Sequence, residues 1–246
     1  ETTFRTKSDS EVIVKLWERY GEKALEKLDG IFAFVVVEGA EVFVARDPMG
    51  IKPLYYGQDT DGAWWFASEA KALMSVCTNV NEFAPGHYFT HRTGLVRYYN
   101  PTWKTATPTS DSAKLRATLE RVVKNQLMSD VEVGVLLSGG LDSSLISSIV
   151  VREMKKIGKK VKSFSVGTNK DAQDIVAARK VAAYLGTDHH EVIFSVEEGV
   201  KTLDDIIYKL ETYDITTIRA STPMYILAKY IAKQGVKVVL LSLIHI

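Results

Sequence analysis

Leu136-Leu137-Ser138-Gly139-Gly140-Leu141-Asp142-Ser143-Ser144 is the stretch whose reading decides the fold. The apolar run from Val133 to Leu137 ends on it, and apolar residues resume beyond it at Leu145, Ile146 and Ile149. Strand periodicity thus gives way to helix periodicity across two glycines, a strand–turn–helix. Glycines let a backbone approach an anion closely, the unpaired amides of a helix's first turn point at it, and Ser138, Ser143 and Ser144 bring hydroxyls. Together these parts can cradle an oxyanion. A Walker A loop is a poor match, because Gly134 and Gly139 have its glycine spacing but Gly140 stands where the lysine belongs. A lone Gly-Gly turn would read as a connector with helix-capping serines, but Ser138, Gly139, Gly140, Asp142, Ser143 and Ser144, six such residues together after a strand, carry more weight.

Outward from the turn, the second half alternates strands with helices. A helix over about Ser112 to Gln126 precedes the Val133 strand; Lys162 to Val166, Glu191 to Phe194 and Val236 to Leu240 are further strands; helices are expected near Ala172 to Leu185, Val196 to Leu210 and Pro223 to Lys233. That alternation predicts a parallel sheet with helical faces. In the first half, Ser8 followed by Glu11 reads as a capping box opening a helix, with Gly21 as its interruption. Short β-rich runs follow at Phe32 to Val37, Glu41 to Ala45, Leu54 to Gly57 and Trp64 to Ala67, then a short helix at Glu69 to Ser75 and a hairpin around Arg92-Thr93-Gly94. The stretch Pro101 to Ser112, with two prolines and many hydroxyls, reads as the linker between domains.

Composition limits the functions open to the chain. With 31 Lys+Arg against 30 Asp+Glu, the formal net charge is +1, which supplies no bulk attraction to nucleic acid or an anionic membrane. No apolar run reaches the roughly 18–20 residues of a membrane-spanning helix. The single cysteine, Cys77, rules out an internal disulfide framework and suits a reducing compartment, so the cytosol is the expected location. His189-His190 is read as structural, since neighbours on a strand face opposite ways and cannot chelate together. Trp64, Trp65 and Phe66 are read as sheet packing, because no basic cluster interleaves them.

The sequence S-G-G-x-D-S-S at Ser138–Ser144 resembles the pyrophosphate loop of the N-type ATP pyrophosphatases. Ser163-Phe164-Ser165-Val166-Gly167 and the segment from Glu211 to Met224 narrow that resemblance. In the first half, Arg46-Asp47-Pro48-Met49-Gly50-Ile51-Lys52-Pro53-Leu54-Tyr55-Tyr56 and Ala67-Ser68-Glu69-Ala70-Lys71-Ala72-Leu73 look like a class II glutaminase. The pairing, in this order and from about Phe4 to Leu240, is similar to glutamine-hydrolysing asparagine synthetase. The fold this implies is α/β: a partial αββα Ntn-type glutaminase domain over residues 1–103, a linker over 104–112, and over 113–240 part of a parallel-sheet, adenine-nucleotide α-hydrolase-like synthetase domain.

The resemblance implies a ligase of asparagine biosynthesis. ATP and Mg²⁺ convert aspartate to β-aspartyl-AMP and pyrophosphate, and ammonia from glutamine attacks the acyl carbon. It assigns Asp9 to the glutamine α-amino group; Leu136 and Val166 to the adenine and ribose; and Ser138, Gly139, Gly140, Asp142, Ser143 and Ser144 to the phosphates, with Asp142 near the metal. Thr216, Thr217 and Arg219 fall to substrate or pyrophosphate. The expected partners are therefore small molecules, aspartate, glutamine and ATP, with neither nucleic acid nor membrane, and a homodimer is compatible with them. Two rivals are a β-lactam-synthetase-like adenylating enzyme, against which Asp9 argues, and a noncatalytic nucleotide-binding fragment.

The ends depart from the family. The N-terminal cysteine nucleophile has no counterpart, and internal Cys77, which lacks a free α-amine, does not replace it, so no catalytic residue is assigned. Leu241-Ser242-Leu243-Ile244-His245-Ile246 is what CTG-TCT-CTT-ATA-CAC-ATC encodes, a transposon end used in sequencing libraries. Residues 241–246 are accordingly expected to be an adaptor-derived tail, and the 246-residue chain to be inactive.

Overall fold

The computed structural model describes residues 3–105 and 111–241, and the chain divides into two compact units, residues 1–108 and 109–246. Residues 106–110 of the expected linker and 242–246 of the expected tail lie outside the described residues.

Helix α1, Ser10–Tyr20, opens the first unit. The expected capping box does not form. Asp9, at the cap position, already has helical backbone angles and its side chain makes no capping bond, whereas a cap normally needs an extended residue there. The Glu11 carboxylate instead takes the Arg5 and Thr6 amides, both at 2.7 Å, and the Thr6 hydroxyl at 2.6 Å. These bonds, led by that from Arg5, hold its pKa below the ordinary carboxylate value. Gly21, at φ +54°, ends α1, and a 3₁₀ turn over Gly21–Lys27 buries Ala24 and Leu25.

Strands β1 (Ala33–Glu38), β2 (Glu41–Arg46), β3 (Tyr55–Gln58), β4 (Trp64–Ala67), β5 (Asn79–Glu82), β6 (His87–Thr90) and β7 (Gly94–Arg97) build two antiparallel sheets, ordered β1-β2-β6-β7 and β4-β3-β5. Alternation along β2 sets the layers. Phe43 and Ala45 pack with Trp17 and Leu25, and Val44 points the other way onto Leu54, Phe83 and Phe89. Glu69 to Ser75 forms only a 3₁₀ turn at Ala70–Ala72, and the extended Glu69 before it makes no side-chain capping bond. Strand β5 was not anticipated: Asn79-Val80-Asn81-Glu82 carries no apolar alternation and pairs with β3 through its backbone. Gly57 in β3 makes room for it, since a Cβ there would sit 2.2 Å from the Asn79 carbonyl oxygen.

The charged pair that opens the glutaminase-like motif is buried, Arg46 at 5% exposure and Asp47 at 1%. The Arg46 guanidinium donates to the carbonyls of Gly50, Lys52 and Phe83 and to the Glu82 carboxylate. Asp47 accepts from the amides of Met49, Ile51 and Lys52. Both side chains thus shape the loop that follows them.

In the second unit, α2 (Ser112–Gln126) is capped by Asp111, which accepts from the Lys114 amide at 2.9 Å. There follow β8 (Val133–Leu136), α3 (Leu141–Lys156), β9 (Lys162–Gly167), α4 (Gln173–Leu185), β10 (Asp188–Ile193), α5 (Val196–Val200), α6 (Leu203–Leu210), α7 (Ile215–Lys233) and β11 (Val238–Leu240). The sheet is parallel, ordered β10-β9-β8-β11. One face packs Val133 and Val135 on Val123 of α2 and on Ile149, Val150 and Met154 of α3. The other packs Leu136, Phe164, Val166 and Val192 on Leu227 and Ile231 of α7. This is the α/β architecture that the alternation predicts.

Two helices differ from expectation. The stretch Val196 to Leu210 is two helices, the first opened by a capping box between Ser195 and Glu198. Helix α7 begins at Ile215, two turns before the expected Pro223, because Asp214 caps it by accepting from the Thr217 amide at 2.6 Å. Pro223 therefore lies inside a helix, where it withholds the N–H that the Arg219 carbonyl would accept.

Candidate anion-binding site

Strand β8 delivers its turn from the middle of the sheet. Leu137 extends the ladder by donating to the Phe164 carbonyl at 2.8 Å, and its side chain is buried against Ala178 and Ala182 of α4. Gly139 then turns at φ +77°, and a Cβ there would lie 2.5 Å from the Ala177 Cβ and the Ala178 amide nitrogen. Glycine is needed on both counts. Gly140 is the extended cap residue of α3, whose first amides have no acceptor within the helix and face the turn.

The serines hold this shape. Ser143, 7% exposed, accepts from the Ser138 amide at 3.3 Å, and its hydroxyl lies 3.0 Å from Ser138 Oγ and 3.2 Å from the Gly140 carbonyl. Ser144 donates to that carbonyl at 2.6 Å. Ser138 Oγ takes the Gly140 amide at 3.4 Å and is otherwise exposed. Asp142 is half-buried in the first turn of α3, where a negative charge suits the helix dipole. A bound anion beside it would need a cation between the two. Among the described residues no three His, Cys, Asp or Glu side chains converge to hold a metal. A lone carboxylate fits Mg²⁺ that arrives on phosphate oxygens, the usual manner of its binding.

Leu136 and Val166 come together on the α7 face, around Phe164. Leu136 also lines an apolar groove of about 500 Å³ with Met224, Leu227, Ala228 and Ile231. Their spacing along α7 is helical and all four fall within the expected Pro223–Lys233 helix, but periodicity in one helix does not say which sheet residue its apolar face meets, so this wall was missed. Thr216, Thr217 and Arg219 are exposed on the first turns of α7, N-terminal to the part that lines the groove. The Thr217 hydroxyl, then its amide, holds the Asp214 carboxyl below the ordinary range. Asp9 belongs to the first unit, exposed, with the Ser10 hydroxyl 3.4 Å from its carboxylate.

The two histidines part as expected. His189 turns to the α4 face, with Nδ1 2.8 Å from Ser163 Oγ, and His190 to the α7 face, stacked on Phe164 and 3.1 Å from the Tyr230 hydroxyl. Burial pushes the pKa of His189 below its ordinary value, against the pull of Glu191.

Known proteins resemble nearly the whole chain. An asparagine synthetase [glutamine-hydrolyzing] 3 of Arabidopsis thaliana is 47% identical over 96% of this chain and 43% of its own length. A rice counterpart, from Oryza sativa subsp. japonica, is likewise 47% identical over 96% of this chain, and 42% of itself. A probable asparagine synthetase [glutamine-hydrolyzing] of Dictyostelium discoideum is 46% identical over 97% of this chain and 46% of itself. The chain thus spans less than half the length of these relatives. The model of the glutamine amidotransferase domain matches residues 1–104, and that of asparagine synthase matches residues 114–242, more than half of the chain. With its turn, its parallel sheet and both matches in one polypeptide, the chain belongs to the asparagine synthase family.

Proposed function

We propose that this sequence serves glutamine-dependent asparagine synthesis in the cytosol, as part of a protein of its relatives' length. The observation that carries the reading is the Ser138–Ser144 turn at the carboxyl end of β8, in a chain that also matches a glutamine amidotransferase domain. A carboxylate is a poor electrophile, so making an amide from aspartate calls for a better leaving group than oxide, and adenylation supplies one. ATP, carried with Mg²⁺, would form β-aspartyl-AMP and release pyrophosphate; ammonia from glutamine would then displace AMP, leaving asparagine, AMP and glutamate.

In this reading the turn holds the phosphates and steadies the departing pyrophosphate with donors already in place. Gly139 and Gly140 admit the anion, Ser143 keeps the cradle's shape, the Ser138 hydroxyl turns toward it, and that of Ser144 would reach it on leaving the Gly140 carbonyl. Asp142 would be the carboxylate ligand for Mg²⁺ arriving on the phosphates. Leu136 and Val166 offer apolar contact to the adenine and ribose. Thr216, Thr217 and Arg219 supply hydroxyls and a planar cation suited to carboxylate or phosphate. In the first unit, Asp9 takes the α-ammonium of glutamine.

The test is product analysis of the full-length protein with aspartate, ATP and glutamine. AMP and pyrophosphate formed in step with asparagine are expected; ADP and phosphate would refute the reading.

A further inference from the structure

Helix α4 is the floor beneath the turn. A Cβ at Gly139 would strike Ala177 and Ala178 at 2.5 Å, and one at Gly167, the last residue of β9, would strike Ile175 at 2.7 Å. With no room for even a methyl group between them, the backbone at both glycines is packed against α4, and packed surfaces transmit displacement, so a shift of α4 is a shift of the turn. Polar ties hold the helix against β10. Arg179 grips Glu191 with both prongs, Nε to Oε1 at 2.7 Å and Nη2 to Oε2 at 2.8 Å, and Nη2 also donates to the Lys170 carbonyl at 3.2 Å.

His189 sits beside this fork on the same face of β10, with Nε2 3.3 Å from Ser165 Oγ and 3.9 Å from Glu191 Oε1. Ser163, 2.8 Å from Nδ1, is itself 2.7 Å from the Thr187 hydroxyl. The groups facing the ring are therefore Ser163 and Ser165 from β9, Thr187 and Glu191 from β10 and its approach, and Arg179 from α4, while His190 acts on it only by charge from the opposite face of β10. A neutral imidazole satisfies both serines with one donor and one acceptor. An imidazolium donates from both nitrogens, and the nearest anion is the Glu191 oxygen already bound by Arg179.

We propose that Arg179 and Glu191 are positioning residues for the anion-binding turn, acting through α4, and that protonation of His189 draws Glu191 inward and slackens their fork. The functional meaning rests on the nucleotide reading above; the mechanics do not. Burial keeps His189 neutral near neutrality, so the slack state belongs to acid pH.

Hydrogen exchange in the full 246-residue chain tests this, with rates over residues 137–145 normalised to those of unstructured peptide. Arg179→Ala should speed exchange there about two- to fivefold, the range that an exposed ion pair commands. Arg179→Lys, which keeps the charge and loses the fork, should fall between. Strand β8 should be unaffected. Wild type should show the same acceleration as pH falls from about 7 to about 5, a window set below the ordinary histidine midpoint by the burial of His189, and His189→Gln should abolish that response. Unchanged exchange in Arg179→Ala, acceleration spread evenly over the whole second unit, or a pH response that survives His189→Gln would overturn the proposal. MgATP titration of the full-length protein separates the two ideas. Full-length wild type that binds none would refute the nucleotide reading while the exchange data still decide this one.

Discussion

A buried guanidinium is tolerable where most of its five N–H groups meet oxygen, and Arg46 makes four such bonds, to three carbonyls and one carboxylate. Arg46→Ala should therefore cost about 2–4 kcal/mol in urea denaturation, because it strands buried carbonyls. Glu82→Gln should cost less than about 1 kcal/mol, since Glu82 is mostly exposed. Equal losses would contradict this division. His189 sets a pH dependence of the same sign as a carboxylate whose pKa is lowered, such as Glu11, but nearer neutrality. Its folded pKa lies below the ordinary 6.5, so below that pH the unfolded chain binds the proton more readily. Stability is then full above about 6.5 and is lost as pH falls through the depressed value. Melting from pH 7 down to pH 5 should show the fall, and His189→Gln should flatten it.

Helices and strands differ in how much of themselves they write into sequence. Helix α2 was legible to the residue, for its composition, length and Asp111 cap agree. The Ser138–Ser144 turn was legible because a buried strand, two glycines and an apolar helix each break periodicity at the same place. Strand β5 was not, since it buries almost nothing and owes its existence to the gap at Gly57. Nor was the start of α7, where proline usually marks a first turn and here is interior. Pro223→Ala should restore the bond to Arg219 and stabilise by about 2 kcal/mol, the interior penalty of about 3 less the roughly 1 that proline saves in the unfolded chain. A lowered melting temperature would mean that α7 needs the bend. The role of Ala177 as the seat of Gly139 was also invisible, because it arises where two distant elements touch.

At the scale of the whole molecule, the proposed half-reactions belong to different units and should separate by mutation. In the full-length protein Asp142→Ala should lower asparagine synthesis by on the order of 10² or more while glutamine hydrolysis persists. Asp9→Ala should raise the KM for glutamine and leave ammonia-dependent synthesis intact. Parallel loss of both activities in either variant would argue against two sites. One asymmetry already distinguishes the units by eye of the fluorimeter: Trp17, Trp64, Trp65 and Trp103 all lie in the first. Trp17 stacks on Phe43 at 4.3 Å, and Trp64 lies 4.8 Å from Phe89. Indole emission from this chain is thus a private signal of the glutaminase-like half, while the ellipticity of α2 to α7 reports mainly on the other. Optical melts at the two signatures assign each transition to its unit without any label.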